Sequence, residues 1–316
     1  MDKVVYDTCM LYFTRQGNFS SWGELANKFG YVSGEAIRSQ FKRARKKARV
    51  EIKDYSKSKP TTPAKIICFD IEVSPMIAYT FDIWNNISPD KVIREKSIIC
   101  WAAKELNDSV VFKDVVTEHE AIMGDDYRVV KSLWETLNSA DILVGHNIKD
   151  FDIKEMNTRF LKHGLPPISS NNVIDTLLVS RQYFAFASNK LSFINKQLGI
   201  KQKIETSGFS LWKDCMNGEI KALRDMIDYC EGDVLSVEEL YYNLRAFIKG
   251  HPNLGLYSDN DYKECPNCGS GDLSSNGYYY TTANKYESMR CNSCGALSRK
   301  KKTELSKEKS KNILRN

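Results

Sequence analysis

The run Lys65-Ile66-Ile67-Cys68-Phe69-Asp70-Ile71-Glu72-Val73 constrains the fold more than any other stretch of this chain. An apolar, β-branched segment bounded by Pro63 and by Ser74-Pro75 predicts a buried strand. Residues i and i+2 of a strand point to the same face, so Asp70 and Glu72 present two carboxylates side by side. Burying two anions together is costly without compensation, and a divalent cation is the usual compensation. The alternative is a strand whose end is solvated. The interleaving of the acids with Phe69, Ile71 and Val73 weighs against it.

Two further segments carry acids on elements of a suitable kind. The apolar run Ala140 to Gly145 is followed by His146-Asn147-Ile148-Lys149-Asp150-Phe151-Asp152 and then by a helical pattern from Ile153 to Leu161. This is a strand-to-helix junction, where a carboxylate can be aimed at a site beyond the strand's C-terminal end. Asn147 reads equally well as a helix cap, and Asp152 less so, because Asp150 is also available as one. Between Glu219 and Phe247 apolar residues recur at helical spacing, with Tyr229 and Asp233 one turn apart on one face. Alone, that segment reads as an amphipathic helix with Tyr229 in the core and Asp233 exposed. Ile77 to Trp84 and Ser97 to Leu106 are expected to be strands paired with the first. Glu118 to Asn138 is expected to be helical. The aromatic stretch Arg181 to Ser188 reads as core in preference to a wall for an unstacked base.

Taken together, Asp70-x-Glu72, Asn147 with Asp152, and Tyr229-x-x-x-Asp233 resemble the three motifs of the DEDD exonuclease superfamily, in the subclass with tyrosine in the third motif (DEDDy). No histidine stands where the sister subclass has one. Ile174-Asp175-Thr176-Leu177, Lys190-Leu191-Ser192-Phe193 and Leu211-Trp212 are similar to connecting segments of phage-type members, and the resemblance spans roughly residues 65 to 300. It implies an α/β fold, a ribonuclease H-like mixed sheet flanked by helices. It further implies a 3′–5′ exonuclease that hydrolyses DNA to nucleoside 5′-monophosphates. Asp70, Glu72, Asp152 and Asp233 would hold two Mg²⁺ or Mn²⁺ ions, and Tyr229 would orient the attacking water. The setting it implies is phage DNA replication, repair or recombination, with proteins of those processes as candidate partners. An exoribonuclease of the same fold and a non-catalytic DNA-binding adaptor are the alternatives.

The cysteines separate into two groups. Cys265-Pro266-Asn267-Cys268-Gly269 and Cys291-Asn292-Ser293-Cys294-Gly295 have the spacing of a zinc ribbon, in which four thiolates close a tetrahedral shell around one structural Zn²⁺. The intervening Gly277 to Tyr286 reads as a hairpin whose aromatic and basic residues either contact nucleic acid or cover a small core. Cys9, Cys68, Cys100, Cys215 and Cys230 lie mainly in apolar segments, as thiols do when they pack as small hydrophobes. That usage points to a reducing compartment.

The N-terminal stretch suggests a helix-turn-helix, with a second helix from Glu35 to Arg49 that carries Arg38, Lys42, Arg43, Arg45, Lys46 and Lys47 as candidate nucleic-acid contacts. A protein partner for this basic helix is the alternative. Residues 1–64 carry 13 Lys+Arg against 6 Asp+Glu and residues 258–316 carry 11 against 7, whereas the middle of the chain is net acidic. Basic arms around an acidic centre suit a polyanion brought to a carboxylate site. The expected organisation is a helix-turn-helix domain (1–55), a linker (56–64), the exonuclease domain (65–257), the zinc ribbon (258–300) and a basic tail (301–316), disordered and attractive to phosphate. No signal peptide or membrane-length apolar run is evident. The expectation is a soluble protein of the cytoplasm, the host's if phage-encoded, that uses no organic cofactor and no membrane.

Overall fold

A computed structural model describes residues 21–51, 64–82, 86–170, 172–200 and 207–314, together with Val5 and Cys9. The chain forms two compact units, residues 1–54 and 55–316. Most of the expected linker, the side chains of Arg45, Lys46 and Lys47, and the end of the expected strand at Ile83-Trp84 lie outside the described residues.

In the first unit, α1 (Trp22–Phe29) starts at Ser21, whose hydroxyl accepts the Glu24 amide at 3.2 Å, and stops at Gly30 in the left-handed region, φ 71°. The next helix, α2 (Gly34–Glu51), follows after a short turn. Ile37 and Phe41 of α2 bury against Leu25, Ala26 and Cys9. The approach is close at Gly34, where a Cβ would stand 2.8 Å from the Gly23 amide nitrogen. Arg38, Lys42 and Arg43 are exposed, away from this core.

The second unit is built on β1 (Ile66–Val73), the central strand of a five-stranded mixed sheet. The further strands are β2 (Ile77–Ala78), β3 (Val92–Arg94), β4 (Ile98–Glu105) and β5 (Val111–Val115). They are followed by helices α3 (Glu118–Met123) and α4 (Tyr127–Leu137), strand β6 (Ile142–Gly145), helix α5 (Asp152–Lys162) and strand β7 (Asn172–Asp175). Sheet order is β5-β4-β1-β6-β7, with β4 antiparallel and β6 parallel to β1. Four helices complete the domain: α6 (Thr176–Tyr183), α7 (Leu191–Leu198), α8 (Phe209–Met216) and the long α9 (Ile220–Leu244). The last buries Met226, Cys230, Val234, Val237, Leu240 and Leu244 at helical spacing in the main core.

Two expectations are corrected. Ile77 to Asp82 does not pair with β1: after Ser74, Pro75 has no amide to extend the ladder, and among the described residues of the segment only Ile77 and Ala78 form a strand, with β3. The helix expected from Glu118 to Asn138 is two helices. Gly124 at φ 69° closes α3, and Asp126 turns its carboxylate inward to accept the Ile98 amide at 2.8 Å and Arg159 Nε at 2.7 Å. Asp126 thereby ties β4 to α5 at full burial.

Beyond the domain, β8 (Leu273–Tyr280), β9 (Lys285–Cys291) and β10 (Leu297–Arg299) form a separate three-stranded sheet. The tail is not disordered up to Leu314. The Lys300 and Glu304 amides donate to Glu287 and Lys285 carbonyls at 3.0 and 2.8 Å, continuing the edge of β9, and α10 (Lys307–Lys311) follows a Ser306 cap. No described helix is long and apolar enough to cross a membrane.

Candidate functional site

Asp70 and Glu72 lie on one face of β1 near its C-terminal end, opposite Ala102 and Cys100 of β4. The ladder shifts register after Glu72, one residue before the strand ends at Val73. α9 crosses this end and turns Asp233 inward. It is buried, not exposed as the amphipathic reading alone would have it. One carboxylate oxygen from each of Asp70, Glu72 and Asp233 lies within 4.8 Å of the others. The Cys230 thiol fastens the helix to the strand, lying 3.4 Å from the Asp70 carbonyl and 3.5 Å from its carboxylate.

Asp152 reaches the same strand differently. β6 pairs with β1 only from Ile66 to Cys68, which leaves the Ile71 amide without a strand partner. Asp152 Oδ1 accepts that amide at 3.2 Å, between the two strand acids. Burial and the charges of Asp70 and Glu72 hold its carboxyl well above the usual range. Asp152 stands in the first turn of α5, but the helix has no side-chain cap, and Asp150 pairs with Lys154 at 2.9 Å instead. The capping alternatives for Asp150 and Asp152 therefore fall away. Asp152 is outside the 4.8 Å trio, where the resemblance would make it a fourth ligand.

Asn147 sits in the left-handed region at φ 67°. The loop is held there by a residue without an assigned role at the level of sequence, Asp175, which accepts the Asn147 amide at 3.0 Å and the Lys149 amide at 3.1 Å. The same carboxylate caps α6 through Leu177 and Leu178. Asn147 and Tyr229 line one polar cleft of about 720 Å³, together with Arg181, Ser188, Lys190 and Ser192. Arg181, on α6, and Lys190, just before α7, are further candidates that the sequence does not mark, since a single cation carries no periodic signal. Tyr183, Phe184 and Phe186 pack against the core, as expected. Burial and the neighbouring Glu72 and Asp70 charges push the Tyr229 phenol up to about 12, so it is neutral. On its other side Trp212 meets Tyr229 edge-on at 6.3 Å and opens an apolar cleft of about 510 Å³ with Phe151, Phe209 and Val73.

The donor set suits hard divalent cations: clustered carboxylates, with a buried acid destabilised by its neighbours' charge. The second cluster suits a soft tetrahedral ion. Cys265, Cys268, Cys291 and Cys294 are buried, and the pairs Cys265–Cys294 and Cys268–Cys291 have sulfurs 3.6 Å apart. That is too far for a disulfide, and close to the ~3.8 Å edge of a tetrahedron with 2.3 Å metal–sulfur bonds. Gly269 and Gly295, at φ 74° and 81°, turn the chain after each knuckle. The remaining cysteines, Cys9, Cys68, Cys100, Cys215 and Cys230, are buried thiols.

Comparison with known proteins agrees with this geometry. A family model described as RNase_H superfamily matches residues 99–245. Over 66 residues the chain is 42% identical to a protein named DNA polymerase III PolC-type from Ureaplasma parvum serovar 3, a match that covers 21% of this chain and 4% of that relative. The chain thus spans a small part of that polymerase's length. In sequence match and in strand order, the α/β domain of this chain is ribonuclease H-like.

Proposed function

We propose that the protein is a metal-dependent 3′–5′ exonuclease that hydrolyses DNA to nucleoside 5′-monophosphates. The convergence of Asp70, Glu72 and Asp233 within 4.8 Å, beside the buried Asp152, carries the reading. These four residues would hold two Mg²⁺ or Mn²⁺ ions. Bound at such a site, the ions supply an activated water and charge stabilisation at the leaving oxygen. The chain's own groups supply the rest. Tyr229, neutral and one helical turn from Asp233, orients the attacking water by hydrogen bond, since a phenol held near 12 is a positioner and not a base. The polar cleft with Asn147, Arg181 and Lys190 suits a sugar–phosphate end. The apolar cleft with Phe151, Phe209 and Trp212 suits a base and excludes water.

The likeness to a protein named as a DNA polymerase favours DNA over RNA as substrate. We further propose that the cysteine cluster holds one Zn²⁺ and that the basic helix α2 binds DNA. The setting in phage replication, repair or recombination, in the host cytoplasm, rests on the resemblance of the motifs.

The test is degradation of 3′- and 5′-labelled single-stranded DNA and RNA of one sequence, with Mg²⁺, Mn²⁺ or EDTA. Stepwise, metal-dependent loss from 3′ ends of DNA is expected, and Asp70→Ala, Asp152→Ala or Asp233→Ala should abolish it with the fold intact. Faster loss of RNA would make the protein an exoribonuclease. A fully active Asp70→Ala protein would overturn the site, and a chain inert with both metals would be a binding adaptor.

A further inference from the structure

The β8–β9 hairpin carries aromatic residues that its own fold does not use. The interior of the cysteine module consists of Cys265, Cys268, Cys291, Cys294 and Ala296, with Leu273 and Ala246 against it. The tyrosines of β8 stand outside that cluster, with Tyr278 53%, Tyr279 50% and Tyr280 66% exposed. They therefore do not cover the core.

Pairing of Tyr278 with Glu287, Tyr279 with Tyr286 and Tyr280 with Lys285 sorts the hairpin into two faces. On one face the Tyr278 and Tyr280 rings lie 6.5 Å apart, and Lys285 Nζ sits 3.6 Å from the Tyr278 centroid and 5.9 Å from that of Tyr280. The acid on this face, Glu287, is paired with Lys300, so the face offers a cation without an opposing free anion. On the reverse face Arg299 stacks 4.0 Å over Tyr286 and 5.6 Å from Tyr279, which braces the hairpin from behind. Exposed rings with an ammonium between them, on a module followed by a tail (301–316) of six Lys+Arg against two Asp+Glu, match the two parts of an unpaired strand: flat bases and a charged backbone.

We propose that the Tyr278–Tyr280 face of this hairpin binds single-stranded DNA, bases stacking on the two rings and a phosphate drawing Lys285 off Tyr278. Duplex DNA offers no free base faces and would not use the rings. The proposal rests on the reading of the chain as a DNA-handling protein, but the surface is separate from the carboxylate site and can be tested without hydrolysis.

The experiment is fluorescence anisotropy of labelled oligothymidylate and its RNA counterpart on the full-length chain carrying Asp70→Ala, with zinc content and circular dichroism as fold controls. Replacing Tyr278 and Tyr280 together by Ala should weaken DNA binding by at least about 10-fold. Replacing both by Phe should retain it, and Lys285→Ala should reduce the slope of log affinity against log salt by roughly 0.7. Binding unchanged within about twofold in the Ala pair would overturn the proposal, as would tighter binding of RNA through the same rings. So would sedimentation showing that the rings hold two copies of the chain together. Failure of the chain with Asp70 intact to cut any strand would overturn the exonuclease reading and leave this one standing.

Discussion

Asp175 is held in place by four backbone amides, and nothing in its own residue type announces that. It is buried, and its Oδ1 accepts the amides of Asn147, Leu177 and Leu178 while Oδ2 accepts that of Lys149. Removing the carboxylate strands several amides at the base of the polar cleft. Asp175→Ala should therefore destabilise the domain by about 2 kcal/mol or more and reduce turnover by releasing the Asn147 loop. Asp175→Asn keeps an oxygen for three of the four amides but turns an NH₂ toward Lys149, so it should fall between Ala and the parent. Urea midpoints and single-turnover rates for the two variants check the order. An Asn variant as damaged as the Ala variant would mean that the loop depends on the Lys149 contact alone. Asp70 and Glu72 were legible in the sequence because their apolar neighbours define a strand, and strand period fixes their common face. Asp175 was not, because its partners are backbone amides, which no side-chain pattern reveals.

Elements follow the same rule of what periodicity can and cannot encode. The strand β1 and the helix α9 were visible as runs of period two and about 3.6. The break in the helical stretch at Gly124 was missed because apolar spacing continues through Val129, Val130 and Leu133. The real boundary is set by Asp126 reaching Ile98 and Arg159 across the sheet. At the C-terminal end of α9 the decisive contact is also tertiary. The Tyr241 hydroxyl donates to His251 Nε2 at 2.8 Å, while His251 Nδ1 donates to the Pro252 carbonyl at 2.7 Å. Both nitrogens are thus committed to the neutral ring, and burial lowers the imidazole to about 4 from its ordinary 6.5. Above pH 6.5 folded and unfolded chains are alike in this group. Between pH 6.5 and 4 the unfolded chain takes up a proton that the folded chain refuses. Stability is therefore lost as pH falls through that window, by up to about 3 kcal/mol. Unfolding curves across pH 7 to 4 should show this slope in the parent and a shallower one in His251→Gln. Equal slopes would assign the acid sensitivity to other groups.

At the scale of the whole second unit, the cysteine module and α9 form one mechanical piece. Asn267, inside the first knuckle, donates its amide to the Arg245 carbonyl at 2.6 Å and to the Ile248 carbonyl at 3.1 Å, just past the end of α9. The Leu254 amide donates back to Pro266 at 2.8 Å, and Arg245 itself is fully buried, 5.0 Å from the Tyr242 ring. Carbonyls of the turn that follows α9 are thus satisfied by a loop that carries two of the four clustered cysteines, whose shape the proposed Zn²⁺ would fix. If that ion is bound as proposed, removing it removes the partner. The last turns of α9 should then fray, whereas Asp70 and Glu72 on the central strand keep their sheet contacts. Zinc chelation, or Cys268→Ser, should raise hydrogen exchange from about residue 240 to 256 first and lower the melting temperature. Asp233 and Tyr229 lie several turns upstream, where Met226, Cys230 and Val234 remain packed, so hydrolysis should decline gradually and not vanish at once. If exchange instead rose first at β1 or at the Asn147 loop, the knuckle would not be the cap of α9. The ion would then act on the fold by another route.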